Sequence, residues 1–527
     1  MSLKYERLCS LLISEHFGST VQKIHSELQW GPRTLSLLIS ATGLPAGIVK
    51  KGLCVMIQYG FVTFSPGKVP SVAEYSLQHD QVILILRYPR YLTLIKDTYG
   101  EPSRLLLCEV MKHGCLTASK AIQLVWNQIK EGQNKGTSLE DLRSAFHDLI
   151  INQYLMCCPT VSETCTDKVP VLTVEETDLY NPPELPLKEL KRFVEDESAT
   201  DPGDGKVYWR PNFDRFHQDL RDKVMINAVK RRFDDHAGTL MEVLLNLMYL
   251  RTAPWVTRSN PVPVQEIKES VERKLKNTYL AQYLDQYIKV IEEDSSNFIR
   301  KHGDGNFSSV HVNIVTAVQY LTVASIENLV EYRFGSKAAR IFRLVCMKKY
   351  IDQEQLQKLA MIPDKEAKQL TYKLIHENFL HLKEVRKTGG AGPAKNFYLF
   401  HIDFHQVVHM VLEICYKAVY NTLTRAAHER NENIRLIEKQ EKLNSIAECM
   451  REQGTDDQQI KELVDEWMSP PEKAQLESIE TMIENLRLAE LHVDDTIFLM
   501  QLYNYYETAC VKEAREAKAS EKAKSRN

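Results

Sequence analysis

Three histidines and an aspartate come nearest, in this sequence, to a metal-binding pattern. The stretch HIDFHQVVH places His401, His405 and His409 four residues apart, with Asp403 between the first two. Residues four apart share a helix face, and imidazole and carboxylate groups are Zn²⁺ ligands. A histidine pair at this spacing is weak evidence, and His401 still fits a strand, so solvated or helix-capping histidines are the favoured interpretation. We predict no metal site and no cofactor.

Catalytic signatures are missing from the sequence. It has no phosphate-binding loop, no GxSxG elbow, no HExxH helix and no GxGxxG after a strand. Because no constellation of acid, base and nucleophile points to an enzyme, we predict a protein without its own active site.

Basic side chains form a second set of candidates. Residues 338–400 carry 12 Lys and Arg against 6 Asp and Glu, within a chain of net charge −3. Such a surplus attracts phosphate. A solvated helix face is the alternative for any single lysine, since only part of a basic face usually touches nucleic acid. The candidate DNA-binding residues are Lys50, Lys51, Lys365, Lys368, Lys373, Arg386, Lys387 and Lys395.

The stretch LRYPRY combines cations with aromatic rings. It contains Arg87, Tyr88, Arg90 and Tyr91 around one proline. Guanidinium and aromatic planes can stack on unpaired bases. Arg and Tyr also anchor protein interfaces, and internal packing or protein contact is the favoured interpretation here.

The composition limits the class of protein. A chain of 527 residues that is 43% apolar is long enough for several domains. Its net charge excludes a uniformly basic nucleic-acid coat. The 11 cysteines form no CxxC pair, which favours free thiols in a reducing compartment. No run approaches the roughly 18 apolar residues of a membrane span, so we expect a soluble intracellular protein without membrane contact.

The elements around the basic residues predict a winged helix. KAARIFRLVCMKKY and DQEQLQKLAMI have helical spacing, and Pro363 starts a third helix that ends near Asn378. NFLHLKEV and NFYLF then read as two strands on either side of the glycine-containing loop RKTGGAGPAK. In a winged helix the third helix commonly enters the major groove, although the fold alone does not establish DNA binding.

The unit recurs along the chain. Shifting the sequence by 318 positions places residues 44–64 over residues 362–382 without a gap, so that Pro45 meets Pro363 and Lys50 meets Lys368. Two weaker copies, in residues 103–158 and 261–312, also combine helices with strand-like segments. Self-similarity of this kind indicates repeated domains, and four winged helices are the predicted number.

Two segments differ from the repeats. Residues 159–205 hold 12 acidic residues against 4 basic ones and five prolines before Lys188, which predicts a mobile linker. From residue 403 the pattern is nearly all helical and indicates an antiparallel coiled coil. The predicted domains are 1–78 (winged helix 1), 79–158 (winged helix 2), 159–205 (acidic linker), 206–333 (winged helix 3), 334–402 (winged helix 4), 403–511 (coiled coil) and 512–527 (charged tail).

Several motifs resemble one family, in order and across nearly the whole chain. They are ILRYPRY, YWRPNFDRFH, RFGSKAARIFRLV, IPDKEAK and VDDTIFLM. The family is the third-largest, winged-helix subunit of RNA polymerase III, part of that enzyme's three-subunit initiation subcomplex and similar to the TFIIE alpha subunit. The resemblance implies four winged helices and a C-terminal coiled coil, the same architecture as the repeats predict.

The resemblance also implies a role. A family member is expected to be a non-catalytic subunit that docks on the polymerase clamp and holds the two other subunits of the subcomplex. It helps open promoter DNA of tRNA and 5S rRNA type genes and stabilises single strands, with TFIIIB-type factors as indirect partners. The implied location is the nucleus. In vertebrates the polymerase is also implicated in innate immunity through sensing of cytosolic AT-rich DNA.

The acidic segment departs from the family pattern. Animal relatives tend to carry a longer linker with a basic run, whereas residues 159–205 contain only Lys191 and Arg192 as a basic pair. We therefore expect nuclear entry as part of an assembled complex. The alternative function is a purely structural winged-helix scaffold without DNA contact. A free-standing repressor would normally dimerise on a palindrome, and four non-identical units argue against it.

Overall fold

The computed structural model describes most of the chain in two units. The described residues are 2–131, 138–161, 169–170, 172–173, 179–195, 202–249, 251–253, 255–275, 278–303, 308–386, 396–452 and 467–524. The two compact units are Met1–Leu220 and Arg221–Asn527, and each is described by itself.

The first unit contains nine α-helices among its described residues, together with short strands. The helices are α1 Leu3–Leu28, α2 Leu35–Thr42, α3 Ala46–Gln58, α4 His79–Val82, α5 Tyr88–Tyr99, α6 Glu101–His113, α7 Ala118–Glu131, α8 Leu139–Ile151 and α9 Leu187–Glu195. A 3-10 helix, Ile83–Arg87, joins α4 to α5. The strands are β1 Arg33–Thr34, β2 Val62–Pro66, β3 Ala73–Leu77, β4 Leu155–Cys157, β5 Thr160–Val161, β6 Leu172–Thr173 and β7 Trp209–Pro211.

The second unit starts within helix α10, Phe213–Arg232. The helices that follow are α11 Asp235–Tyr249, α12 Val264–Leu275, α13 Thr278–Gln282, α14 Leu284–Glu293, α15 Ile314–Phe334, α16 Ser336–Lys348, α17 Gln353–Ala360, α18 Asp364–His376, α19 Phe404–Glu432, α20 Ile434–Glu452 and α21 Pro470–Lys524. The strands are β8 Val262–Pro263, β9 Ile299–His302, β10 Ser309–Val312, β11 His381–Arg386 and β12 Asn396–His401. The prediction of a mainly helical protein with small β-hairpins is confirmed.

Small antiparallel sheets follow the helices. Their strand orders are β1-β3-β2, β4-β7, β5-β6, β8-β10-β9 and β11-β12. In the fourth winged helix the register pairs His381 with His401 and Arg386 with Asn396. A sheet of two or three strands is too small to be stable by itself, so each depends on the helices packed against it.

The 318-residue repeat is visible in the backbone. Helices α3 and α18 both contain 13 residues and start at equivalent positions. The residues before them, Pro45 and Pro363, have φ and ψ of −56° and 140°, and −57° and 141°. Proline at this position fixes φ and so sets the direction in which the chain enters each helix.

A shared turn marks all four winged helices. Each has a residue with positive φ after its last helix, followed directly by a buried aromatic residue. The pairs are Gly60–Phe61, Gln153–Tyr154, Asn297–Phe298 and Asn378–Phe379. A left-handed residue ends a helix and redirects the chain, here so that the ring enters the core before the strand begins. The residue after each ring is buried and aliphatic: Val62, Leu155, Ile299 and Leu380.

Part of the segment predicted to be a mobile linker, residues 159–205, packs against the second winged helix. Leu190 and Val194 of α9 belong to the hydrophobic core of the second winged helix. The Nε2 amide of Gln123, on α7, donates a hydrogen bond of 3.0 Å to the carbonyl of Phe193. Asp204 accepts one of 2.8 Å from the backbone of Ser119, in the first turn of α7. Because the segment is acidic overall, the sequence did not predict α9, an amphipathic helix whose apolar face is buried.

The C-terminal helices pair as predicted but with different bounds. Helices α20 and α21 form a hairpin in which the Lys439 ammonium contacts the Glu472 carboxylate at 2.9 Å and Gln475 contacts Asn433 at 3.1 Å. After Pro470 there is one helix of 55 residues, which continues to Lys524 through most of the predicted tail. The tail is rich in Ala, Glu and Lys, which are strong helix formers.

No helix of the described residues is, by itself, long and apolar enough to cross a membrane. Helices α2 and α3 meet the length and composition requirement only as a pair, and they are bent by 116° at their junction. This pair is the helix-turn-helix of the first winged helix.

Candidate nucleic-acid interface

Helix α18 presents its predicted lysines to solvent. Lys365, Lys368 and Lys373 are exposed, whereas Ala367, Thr371 and Leu374 on the opposite face are buried. The helix therefore packs by one face and leaves the lysines on its free side, as a helix that contacts nucleic acid requires. The structure brings these three residues together.

The lysines of α18 differ in their contacts. Lys368 pairs with Asp364 one turn earlier, at 2.9 Å, and this hydrogen bond raises the pKa of Lys368. The Nζ of Lys373 lies 5.4 Å from the centroid of the Phe334 ring, at the end of α15. Lys365 has no ion-pair partner among the described residues. Its charge is therefore the least compensated of the three.

Sequence reasoning missed an aromatic side chain on the same helix. Tyr372 is 68% exposed and lies one turn after Lys368. A tyrosine ring between two lysines can stack on a base while the ammonium groups meet phosphate. Its position four residues after Lys368 was a readable signal, because residues at that spacing share a helix face.

The predicted wing residues are only partly described. Arg386 ends strand β11, opposite Asn396 of β12. Lys387 and Lys395 lie outside the described residues. The strands that carry the wing expose apolar side chains, among them Phe397 and Tyr398 at 57% and 48%.

The first winged helix presents an equivalent but smaller basic surface. Lys50 and Lys51 on α3 are both exposed, while Val49 and Leu53 of the same helix are buried. Lys50 occupies the place of Lys368 in the 318-residue repeat. The two candidate helices thus offer cations at matching positions.

Arg87 and Tyr91 of the stretch LRYPRY are internal, which is the packing that the favoured interpretation expects. Arg87 is 2% exposed, and Tyr91 is fully buried. The Tyr91 hydroxyl lies 2.9 Å from Nε2 of His217 on α10, and the Tyr88 ring stacks on Phe213 at 5.9 Å. Arg90, half-buried, starts α5 beside them. These side chains hold α5 to α10 within the first unit.

The buried environment also affects His217. Burial, and secondarily the positive charge of Arg87, lower the pKa of His217 to about 3. The imidazole is therefore neutral at physiological pH and forms an ordinary hydrogen bond with the Tyr91 hydroxyl.

The histidines at the start of α19 are separated into two groups. The His405 and His409 rings meet edge to face at 4.5 Å, whereas the His401 ring stacks on Tyr350 at 5.6 Å. Asp403 caps α19 by accepting a hydrogen bond from the backbone of Gln406. Among the described residues, no group of His, Cys, Asp and Glu is arranged to hold a metal ion.

Curated relatives align with nearly the whole chain. The bovine and human proteins named DNA-directed RNA polymerase III subunit RPC3 are each 34% identical over 525 residues, covering 94% of this chain and 98% and 97% of their own. The zebrafish protein of that name is 32% identical over 95% of this chain and 98% of its own. This chain belongs to the RPC3 family of RNA polymerase III subunits.

Models of RPC3 family segments match successive parts of the fold. The RPC82 helix-turn-helix model matches residues 7–67, and the RPC82 subunit model matches residues 161–321. The POLR3C C-terminal winged-helix model matches residues 326–402, and the RPC3 helical hairpin model matches residues 435–499. The resemblance inferred from the sequence motifs is therefore confirmed, and the α20–α21 hairpin is an RPC3 family feature.

Proposed function

We propose that this chain is a non-catalytic subunit of RNA polymerase III that acts in transcription initiation at small non-coding RNA genes. The observation that carries the proposal is its alignment, end to end, with relatives named as subunits of that polymerase. Such a subunit assembles with the other subunits of the enzyme, including two partners in an initiation subcomplex, and docks on the polymerase clamp. TFIIIB-type factors are its indirect partners. Its expected location is the nucleus.

Exposed apolar side chains on the fourth winged helix support protein docking. Tyr332, Met347 and Met361 are 91%, 70% and 87% exposed. Large apolar and aromatic side chains are enriched at protein interfaces, where their burial stabilises the complex. We propose that this winged helix meets another subunit through these side chains and DNA through α18.

The DNA contact is proposed to depend on charge and stacking, without base-specific reading. Lys365, Lys368 and Tyr372 of α18 would meet phosphate and unpaired bases beside the opened promoter, and Lys50 and Lys51 of α3 would do so at a second point. Cations and aromatic rings bind single strands of any sequence. A polymerase subunit that keeps a transcription bubble apart requires this kind of binding.

The test is a charge-reversed polymerase. The triple variant K365E/K368E/K387E, assembled into the complete enzyme, should retain its subunits but form fewer open complexes on a tRNA gene, with a weaker salt dependence of DNA retention. A matched variant, K289E/K417E/K442E, reverses three exposed lysines on α14, α19 and α20. If permanganate footprinting of the bubble gave the same result for both variants, the DNA role of α18 would be refuted.

A purely structural scaffold is the second candidate. Two ion pairs on α18 favour it, Lys368 with Asp364 and Lys337 with Glu366 at 2.7 Å, because paired charges attract phosphate less. In that case the α18 variant would lose a neighbouring subunit during purification and would leave DNA retention by the remaining enzyme unchanged.

A further inference from the structure

Two arginines and two histidines cluster at the hairpin of the third winged helix. In the β9–β10 register, His311 is directly opposite Arg300, and His302 is opposite Ser309. Residues 300 and 302 share one face of the strand, since side chains alternate. The His302 and His311 rings stack at 4.6 Å with 13° between their planes.

A loop segment hydrogen-bonded to the end of β10 contributes a further arginine. The hydroxyl of Ser259, a buried residue, accepts a hydrogen bond of 2.7 Å from the backbone of Val312, and its backbone N–H donates one of 3.1 Å to the Val312 carbonyl. The preceding residue, Arg258, is exposed, and its charge acts on His311. The cluster thus consists of Arg258, Arg300, His302 and His311.

The opposite face of the same hairpin is the one that packs on the unit. Ile299 is buried, and Lys301 reaches Asp285 of α14 at 3.3 Å. The cluster therefore occupies the outer face, where Arg300 and His302 are exposed and His311 lies underneath at 7% exposure.

These charges have little compensation. Elsewhere in this unit, arginines pair with carboxylates, as Arg232 does with Asp294 at 2.7 Å and Arg251 with Glu266 at 2.5 Å. Within the described residues, neither Arg258 nor Arg300 has such a partner. Burial, followed by the nearby charges of His302, Arg258 and Arg300, lowers the pKa of His311. The site thus concentrates positive potential that an anion would relieve.

We propose that Arg258, Arg300, His302 and His311 form a binding site for the sugar–phosphate backbone of a nucleic-acid strand. The guanidinium forks match the geometry of phosphate oxygens. The exposed imidazole of His302, which already stacks on His311 on one side, offers its other face to a base, and aromatic and guanidinium planes are typical of single-strand contacts. The proposal rests on the proposed DNA role of the subunit but concerns a surface separate from α18.

The test uses the full-length chain and a fluorescent single-stranded oligonucleotide, with binding followed by anisotropy over a range of salt concentrations. The variant R258Q/R300Q should reduce the slope of log K against log salt by about 1.4, since each phosphate contact contributes about 0.7 on single strands. The separate variant H302A should also weaken binding, because it removes a ring that would stack on a base, but it should change the slope less than R258Q/R300Q does. The matched control R273Q/K289Q removes two exposed charges from α12 and α14 of the same domain.

The outcomes separate this site from the proposed role of α18. If R258Q/R300Q bound the oligonucleotide more weakly while K365Q/K368Q bound it normally, the hairpin site would be supported and the α18 contact would be refuted. A salt slope for R258Q/R300Q equal to that of R273Q/K289Q would overturn the hairpin site whatever α18 does. If R258Q/R300Q instead dissociated another subunit from the assembled polymerase while DNA binding stayed normal, the cluster would be a site for an acidic protein surface, and the proposal would also fail.

Discussion

The guanidinium of Arg221 donates a hydrogen bond of 2.8 Å to the hydroxyl of Tyr506 in the buried interior of the second unit. Arg221 lies on α10 and Tyr506 on α21, 285 residues later, and they are 3% and 1% exposed. The other side of the guanidinium contacts Asp222 at 2.7 Å. A buried arginine is tolerated because its charge and its N–H groups have partners, so this pair fixes the end of α21 on α10.

The substitution Y506F should therefore destabilise the second unit by about 1–3 kcal/mol, because one buried N–H of Arg221 loses its acceptor. Urea unfolding of the full-length chain would measure the change. The control is Y505F, since Tyr505 is 48% exposed and water can form a hydrogen bond with any group that loses its hydroxyl. Equal stability of the two variants would contradict the prediction.

Removing the negative charge of Asp222 should destabilise the second unit more than Y506F does. In D222N the guanidinium remains buried with a neutral neighbour, and breaking a buried pair from one side typically costs about 3–5 kcal/mol. Hydrogen exchange, followed by mass spectrometry, should show loss of protection in α10 and in residues 495–510 of α21. Protection unchanged in both segments would indicate that water reaches Arg221 and compensates for the change.

Acid should weaken the first unit through two buried histidines. Burial lowers the pKa of His217 to about 3 and that of His25 to about 4, against an ordinary value of 6.5. Between these limits the unfolded chain binds more protons than the folded one, so stability is full above about pH 6.5 and falls as the pH drops. Each histidine should contribute a slope of about 1.4 kcal/mol per pH unit.

Urea unfolding between pH 4.5 and 7.5 would measure this dependence. The variants H217Q and H25Q keep a polar side chain that does not titrate, and each should show a shallower slope than the wild-type chain. Substitution of the exposed His147 on α8 by glutamine serves as the control. Parallel pH profiles for wild type and H217Q would show that His217 is protonated without unfolding.

Much of the fold could be read from the sequence because the winged helix repeats. The 318-residue shift identified α3 and α18 with the correct relation, since proline and the buried aliphatic positions recur at fixed spacing. In the other two copies the left-handed turn falls at Gln153 and Asn297, and in all four copies a buried aromatic–aliphatic pair follows the turn. That pair was the common signal, because the turn residue itself varies between Gly, Gln and Asn.

Side-chain roles were harder to predict where burial decides them. Arg87 and Tyr91 have the residue types of a stacking surface, and only tertiary contact with His217 makes them core residues. On the hairpin of the third winged helix, by contrast, residues that no motif singled out lie close together. Arg258 is about 50 residues from His302 and His311 in sequence and comes near them through the hydrogen bonds between Ser259 and Val312, so no local motif could reveal the cluster.

Helix α9 should be essential to the second winged helix despite its acidic surroundings. Leu190 is fully buried in the core of that domain, and L190A should destabilise the first unit by about 2–5 kcal/mol. E189Q, which alters an exposed neighbour, should have little effect. Limited proteolysis would check this locally, because cleavage at Lys188, Lys191 and Arg192 by trypsin should be slow in the wild type and fast in L190A. Rapid cleavage of the wild-type helix would contradict the packing of α9.

The most reactive thiol of the described residues should be Cys115. The neighbouring Cys158 thiol, and then the charge of Arg210, lower the pKa of Cys115 to about 7, although burial opposes them. About half of this half-exposed thiol is then thiolate at neutral pH, and the thiolate is the form that reacts with alkylating agents.

Iodoacetamide labelling, followed residue by residue with mass spectrometry, would test this prediction. The rate for Cys115 should reach half its maximum near pH 7 in the wild-type chain. In C158A the hydrogen-bonding side chain is lost, and the half-maximal pH should move up towards the ordinary thiol value of 9.0. C157A is the matched control, because it removes the adjacent thiol, which is not among the causes of the shift at Cys115. If C157A and C158A moved the half-maximal pH equally, contact between Cys115 and Cys158 would not be the cause of the shift.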